Sequence, residues 1–310
     1  MIVDLPDTTV SKIARALVNV REEGGAATLG RVLTLVIVST GGFDEEAIDA
    51  ANAASREHPM RVIVLVIEPD GEASLDAQIR VGGDAGASEV VVLRAHGDTG
   101  SNLESLVNGL LLPDAPVVAW WPDDPPADPA NSPIGRMAQR RITDASTKPF
   151  VRDRLSELGG VYQPGDTDLA WTRLTHWREQ LAAVLDQPPY ETVTAVTVVG
   201  AGSSPSTGLL AAWLGLKLDV EVEWHYADAE EWAHGIRSVR LTRESGDIVL
   251  ERSTEADATL TQPGQPTHDI VLPRRSLREC LAEELRRLDP DLLYGRVISE
   301  GWERLNPPTR

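Results

Sequence analysis

The sequence predicts an α/β fold: a mostly parallel sheet covered by helices, then an antiparallel meander and terminal helices. Three features predict it. Residues 32–38 and 62–67 are runs of Val, Leu and Ile broken only by Thr34, and an alanine-rich stretch separates them. Strands apolar on both faces are buried on both faces, as in a parallel sheet between helix layers. The β-rich run 193–199 closes into Gly200-Ala201-Gly202-Ser203-Ser204-Pro205-Ser206-Thr207-Gly208, followed by a helical segment 209–216 and a further β run 220–225. Finally, 236–243 and 248–252 flank the turn Ser245-Gly246-Asp247, as in an antiparallel hairpin. The first two features are Rossmann-like strand, helix, strand units, and the third is the meander.

The elements follow in order. From 8 to 22, Val10, Ile13, Leu17 and Val20 recur at spacings of three and four, which predicts an amphipathic helix stopped by Gly24-Gly25. The strands 32–38 and 62–67 enclose a helix within 43–57. Residues 75–93 hold two strand-like pieces around Gly82-Gly83 and Gly86, ending in Val90-Val91-Val92-Leu93. A short helix is expected over 102–112 and a strand at Val117-Val118-Ala119-Trp120. Seven prolines between 113 and 133 remove backbone donors and block long helices, so this stretch reads as a rigid connector. Trp120 and Trp121 want burial, which lays the connector over the sheet edge. Residues 134–142 read as helical. Asp166-Thr167-Asp168 supplies capping oxygens for one long helix through Leu185, stopped by Pro188-Pro189. Two further short β pieces end near Ile270-Val271-Leu272, and Ser276 with Glu279 forms a capping box ahead of Leu277, Cys280, Leu281, Leu285 and Leu288. Two domains are expected: 1–164, an α/β domain carrying the connector 113–133, and 165–310, an α/β domain with the meander 236–272 and closing helices.

Charge and composition narrow the function. Lys and Arg number 29 against 48 Asp and Glu, a net charge of −19, which repels phosphate backbones and anionic lipid. Nucleic acid and membrane are therefore not expected partners. The chain opens Met1-Ile2-Val3-Asp4-Leu5-Pro6, with an acid where a signal peptide carries basic residues, and no apolar run approaches the roughly 18 residues of a spanning helix. The single cysteine, Cys280, forms no internal disulfide, and a cytoplasmic location is the expectation.

No catalytic residues are assigned. The six histidines include no H-E-x-x-H and no pair at metal spacing, and no serine sits in a G-x-S-x-G elbow, so neither a metal nor a cofactor is expected. Cys280 falls on the apolar stripe of its helix and reads as a buried, inert thiol. The candidate anion or ligand site is the loop carrying Gly200, Gly202, Ser203, Ser204, Ser206 and Thr207, because glycines admit an anion to backbone N–H groups and a helix N-terminus adds positive potential. Pro205 stands where a dinucleotide fingerprint has its third glycine, so an ordinary strand-to-helix turn is the competing reading. Against the overall charge, 131–180 holds eight basic residues, Lys148 among them, and six acidic ones. Eight tryptophans exceed four tyrosines and two phenylalanines. Trp171, Arg173, Trp177 and Arg178, with Arg140 and Arg141, have the composition of an interface hot spot, with a core role for the tryptophans as the alternative.

Four segments carry a family resemblance. They are Asp168-Leu169-Ala170-Trp171-Thr172-Arg173-Leu174-Thr175-His176-Trp177-Arg178; Arg140-Arg141-Ile142-Thr143-Asp144; Leu112-Pro113-Asp114-Ala115-Pro116-Val117-Val118-Ala119-Trp120-Trp121; and Ser204-Pro205-Ser206 ahead of Leu209-Leu210-Ala211-Ala212-Trp213-Leu214. Together, in their order along the chain, they resemble the OpcA family, the glucose-6-phosphate dehydrogenase assembly proteins of actinobacteria and cyanobacteria. The resemblance implies a non-catalytic protein that binds glucose-6-phosphate dehydrogenase and promotes its assembly or active state as an allosteric activator. It would thereby support NADPH production by the oxidative pentose phosphate pathway. Thiol control is associated with cyanobacterial members, and a single Cys280 cannot form an intramolecular disulfide. The alternative expectation is an enzyme or sensor that binds a sugar phosphate, a possible phosphorylated metabolite, at the loop 200–208.

Overall fold

The computed structural model describes residues 1–23, 31–40, 44–82, 89–147 and 151–308. In chain order it forms β1 (Ile2–Leu5), α1 (Val10–Glu23), β2 (Leu33–Ser39), α2 (Asp44–Ala54), β3 (Met60–Glu68), β4 (Ser74–Val81), β5 (Glu89–His96), α3 (Leu103–Asn108), β6 (Val117–Trp120) and β7 (Arg140–Thr143). There follow α4 (Val151–Val161), β8 (Asp166–Asp168), α5 (Leu169–Thr172), α6 (Thr175–Leu185), β9 (Ala195–Gly200), α7 (Pro205–Leu218) and β10 (Val222–Tyr226). The last elements are β11 (Ile236–Arg243), β12 (Gly246–Arg252), β13 (Asp257–Thr261), β14 (His268–Val271), α8 (Leu277–Arg286) and α9 (Leu292–Arg296). The expected helix stop at Gly24-Gly25, the pieces at Gly83 and Gly86, Phe43 and Lys148 lie outside the described residues.

Two compact units divide the chain. The first comprises Met1–Asp144, Gly165–Thr167 and Leu277–Pro290, and the second Ala145–Pro164, Asp168–Ser276 and Asp291–Arg310. The sequence reading places one cut at 164, whereas these units interleave along the chain, because tertiary contacts return α8 to the first.

The first unit is built on an eight-stranded sheet in the order β1-β4-β5-β3-β2-β6-β7-β8. The strands from β5 through β3, β2 and β6 to β7 pair in parallel. β4 joins β5 antiparallel, and β1 joins β4 antiparallel. Every residue of β2 is buried, as its continuous apolar run requires. Ile13 and Leu17 of α1 pack into the same core as Val36, Ile63 and Leu93. β1 has no counterpart in the sequence reading, because a four-residue edge strand with only partial burial is too short to show a period.

Two expectations for this unit are corrected. Residues 134–142 form no helix: one 3₁₀ turn, Gly135–Met137, precedes β7. Gly135 is held so close to the Pro129 carbonyl that a Cβ there would lie 1.7 Å from its oxygen, and tertiary pairing takes the residues after it into the sheet. The connector does not bury Trp120 and Trp121 by covering an edge. β6 is an interior strand between β2 and β7, and the two side chains are 0% and 3% exposed.

Ion pairing draws Arg140 and Arg141 inward. The Arg140 guanidinium meets Glu284 of α8 through Nε at 3.0 Å and through Nη2, and its Nη1 donates to the Asp289 carbonyl at 2.8 Å. The Thr167 hydroxyl donates to the other Glu284 oxygen at 3.3 Å. Arg141 pairs through Nε with Asp166 and donates from Nη1 to the Ala138 carbonyl at 3.0 Å. These contacts explain why the polar triplet of β8 is a buried strand as well as the source of a helix cap.

The second unit carries a six-stranded sheet in the order β10-β9-β11-β12-β13-β14, with β9 and β10 parallel and all later pairings antiparallel. The expected meander is present and is joined to the strand, helix, strand unit through β9 and β11. Its core gathers Leu209 and Leu210 of α7, Trp224, Val239, Leu250, Tyr294 and Trp302. The single long helix expected after Asp168 is broken into α5 and α6. Asp168 caps α5 by accepting from Ala170 N–H at 2.8 Å. The Thr172 carbonyl then receives the Thr175 hydroxyl at 3.0 Å and Arg275 Nη1 at 2.8 Å, side-chain donors that compete with the helical ladder.

Breaking the Arg140–Glu284 pair from one side leaves a buried charge unanswered. Arg140→Ala is expected to lower unfolding free energy by about 3–5 kcal/mol, whereas Arg140→Met combined with Glu284→Leu loses much less. Urea unfolding of the three proteins checks this, and equal losses would show that the charge pairing contributes nothing beyond side-chain volume.

Candidate functional site

The turn between β9 and α7 is dictated by close packing. A Cβ on Gly200 would lie 2.4 Å from Thr207 Oγ1 and 2.9 Å from the Gly235 carbonyl oxygen. A Cβ on Gly202 would press on the Tyr226 ring at 3.3 Å. Ser204 occupies the N-cap in an extended conformation but makes no side-chain capping bond, and Pro205 starts the helix with φ already set. α7 therefore begins at Pro205 rather than near Leu209, and the ligand loop is shorter than the sequence reading supposes.

This distributes the six predicted loop residues unequally. Ser203 and Ser204 line a cavity of about 440 Å³. Ser206 borders it too, but is 6% exposed and its hydroxyl donates to the Ala170 carbonyl at 2.8 Å. Thr207 is fully buried beneath Gly200, so Gly200 and Thr207 serve packing, and Gly202 faces Tyr226. Burial holds the Tyr226 hydroxyl above its ordinary pKa.

Across from the serines the cavity presents Arg173, Arg252, Arg274 and Arg275, and among the described residues none that lines it is Asp or Glu. Leu174, Trp177 and Ile236 supply apolar wall. Arg252, the last residue of β12, is the most deeply buried of the four. Its Nη2 donates to the Leu272 carbonyl at 2.7 Å, and its guanidinium lies 5.2 Å from the Trp177 ring centroid. Burial, and secondarily the charge of Arg274, pull its pKa down to about 10. Arg274 donates to the His234 carbonyl at 2.6 Å and lies 3.7 Å from Glu255. Only Arg173 of these four is named by sequence reasoning. The others come from strand ends and a loop with no common spacing, so no motif marks them.

The residues read as a partner-binding patch are mostly internal. Arg140 and Arg141 are 4% and 7% exposed in the ion pairs described above. Trp171 is 1% exposed, donates from Nε1 to Asp291 at 2.8 Å, and is covered by Arg178, whose guanidinium carbon lies 3.9 Å from its ring centroid. Trp177 is core at 2% exposure, and Arg173 and Arg178 are half-buried. Arginine beside tryptophan here is intramolecular cation–π packing rather than an outward-facing hot spot.

In the first unit the chain turns from one side of β2 to the other at the β2/β6 boundary, where open α/β sheets hold ligands at the carboxyl ends of strands. Asp123, 6% exposed, occupies that end: one carboxylate oxygen accepts from Ser39 Oγ at 3.2 Å, Thr40 N–H at 3.0 Å and Thr40 Oγ1 at 3.1 Å. These donors are of the kind that would hold a dinucleotide pyrophosphate, and an internal carboxylate takes them. The described residues there do not fit such a cofactor. Among the described residues no group of three His, Cys, Asp or Glu is placed to hold a metal ion, and no helix is long and apolar enough to cross a membrane.

Residues 51–161 match the family model described as the glucose-6-phosphate dehydrogenase subunit N-terminal domain, and 164–298 match its C-terminal domain counterpart. The chain belongs to the OpcA family of glucose-6-phosphate dehydrogenase assembly proteins. No curated protein matches it. Among solved structures, this OpcA family member is similar to glucose-6-phosphate 1-dehydrogenase from Mycobacterium avium, at 13% identity over 89% of this chain and 91% of that one, with a TM-score of 0.47. It is similar also to a Gfo/Idh/MocA family oxidoreductase from Vibrio cholerae, at 8% identity over 88% and 95% of the two chains and a TM-score of 0.43. A third is myo-inositol dehydrogenase from Lactobacillus casei, at 11% identity, 89% and 94% coverage and a TM-score of 0.39.

The packing role of Gly200 in this OpcA family member has a direct test. Gly200→Ala is expected to destabilise the protein by about 1–3 kcal/mol through overpacking, read as a lower urea midpoint. An unchanged midpoint would mean that Thr207 and the Gly235 carbonyl move aside without cost.

Proposed function

We propose that the chain is a non-catalytic assembly factor and allosteric activator that binds glucose-6-phosphate dehydrogenase and supports NADPH production in the cytoplasm. The observation that carries this reading is the match of both halves of the chain, from 51 to 298, to the two domains of one dehydrogenase-subunit family. Two local features support it. Asp123 accepts the donors at the β2/β6 boundary of the first sheet, and in the second unit Pro205 stands where a dinucleotide fingerprint has the glycine for close helix–strand packing.

Activation without chemistry requires only that this protein bind one state of the dehydrogenase better than another. A differential affinity of about 1–3 kcal/mol shifts a two-state equilibrium roughly 5- to 150-fold. Because Arg140, Arg141, Trp171 and Trp177 are deeply buried, this reading takes docking to rest on other side chains. Their burial also makes charge reversal at Arg140 or Arg141 a test of folding rather than of binding.

Purified protein mixed with the dehydrogenase of the same organism is expected to give a heavier species by light scattering together with faster NADPH formation. Absence of both, with each protein folded by circular dichroism, would overturn the proposal. A heavier species with an unchanged rate would keep the assembly role and remove activation.

A further inference from the structure

The arginine-lined cavity of the second unit has no task in dehydrogenase assembly as described, and its chemistry is specific. In a chain of net charge −19, the described residues lining about 440 Å³ include four arginines and no carboxylate. Elsewhere, the deeply buried Arg61, Arg140 and Arg141 each meet an acid: Glu89, Glu284 and Asp166. Arg243 and Arg252, 6% and 5% exposed, form no ion pair among the described residues, and of the two it is Arg252 that lines the cavity. Among the described residues the one hydrogen bond of Arg252 goes to the Leu272 carbonyl, its Nε has no partner, and no carboxylate pairs with it. A guanidinium removed from water and left without a counter-charge is costly, and an anion entering the cavity would offset that cost.

Three further features define the anion. The 14-residue α7 directs its positive end to the cavity; Pro205 has no N–H and Thr207 N–H donates to the Ser204 carbonyl at 3.2 Å, while Ser204 makes no side-chain capping bond that would take the Ser206 N–H. Guanidinium forks, serine hydroxyls and a helix N-terminus together match the three oxygens of a phosphate group better than the two of a carboxylate. The apolar wall of Leu174, Trp177 and Ile236 is not what a free inorganic ion needs; it suits an organic body, and the volume falls within the range of about 300–1,000 Å³ typical of small-molecule sites.

We propose that this cavity binds a phosphate monoester on a body of hexose to nucleoside size, with Arg252, Arg274 and the start of α7 on the phosphate. The site belongs to the chain alone and requires no dehydrogenase.

Calorimetric titration of the full chain with glucose 6-phosphate, AMP, inorganic phosphate and glucose, all at one ionic strength, tests it. Saturable binding is expected for at least one ester, none for glucose, and inorganic phosphate is expected to bind about tenfold more weakly or worse. Arg252→Met and Arg274→Gln should each weaken the ester roughly ten- to hundredfold. If Arg252→Met fails to fold, Arg274→Gln and Arg173→Gln, at half-buried positions, decide the matter. Absence of saturable ester binding, unchanged affinity in the folded arginine variants, or inorganic phosphate binding as tightly as the ester would each overturn the proposal.

Discussion

A guanidinium cannot be left dry without an answering charge, and the first unit is organised around satisfying that constraint. Arg140 is buried on the strand β7, and the acid that answers it, Glu284, stands on a helix that begins more than a hundred residues later in the chain. Holding the pair fixes where α8 must lie. α8 in turn buries Cys280 and Leu281 on its apolar stripe, so the thiol is enclosed as a consequence of the same placement. Arg141 with Asp166, and Arg61 with Glu89, apply the rule at two further points. Such pairs contribute little net stability against a well-packed apolar alternative, but each is unforgiving of a missing partner, which makes them devices of arrangement.

The second unit departs from that rule at Arg243, which donates to the Pro189 carbonyl, and at Arg252, which alone of the two lines the cavity. Arg252 is buried with a single carbonyl contact, an aromatic ring beside it and a second arginine close enough to depress its pKa. A folded protein retains such a group when something else in the structure holds it there. Here the β11–β12 ladder fixes the strand that ends in Arg252, while the turn from β9 to α7 fixes the serines opposite. The cavity is thus framed by two rigid elements of one sheet, with its positive groups set before any ligand arrives, which reduces the ordering cost of binding.

In both units a side chain stands where an α/β sheet commonly receives a nucleotide. At the β2/β6 boundary Asp123 accepts the available donors, and at the β9 turn Pro205 takes the position of a glycine. The described residues at the β2/β6 boundary are arranged for internal bonding, whereas at the β9 turn Gly200 and Thr207 serve packing and Ser203 and Ser204 line the cavity. Fold and function separate at this point, in keeping with the general rule that a site is argued from its residues and not from its scaffold.

How much was legible in the sequence depended on the range of the interaction involved. The parallel strands β2 and β3, the helix α1, the meander of β11 and β12 and the family membership follow from continuous runs, local periods and ordered segments, all of which survive any tertiary arrangement. The sequence by itself determined the fold class, the buried thiol and the presence of a glycine and serine turn ahead of α7. Tertiary structure alone decided that residues 134–142 would become a turn and a strand, that the helix after Asp168 would break at Thr172, and that Arg140, Arg141, Trp171 and Trp177 would face inward. It alone also brought Arg173, Arg252, Arg274 and Arg275 around one cavity. The physical reason is common to all of these: burial and ion pairing are properties of neighbours in space, and those neighbours come from segments whose separation along the chain carries no period.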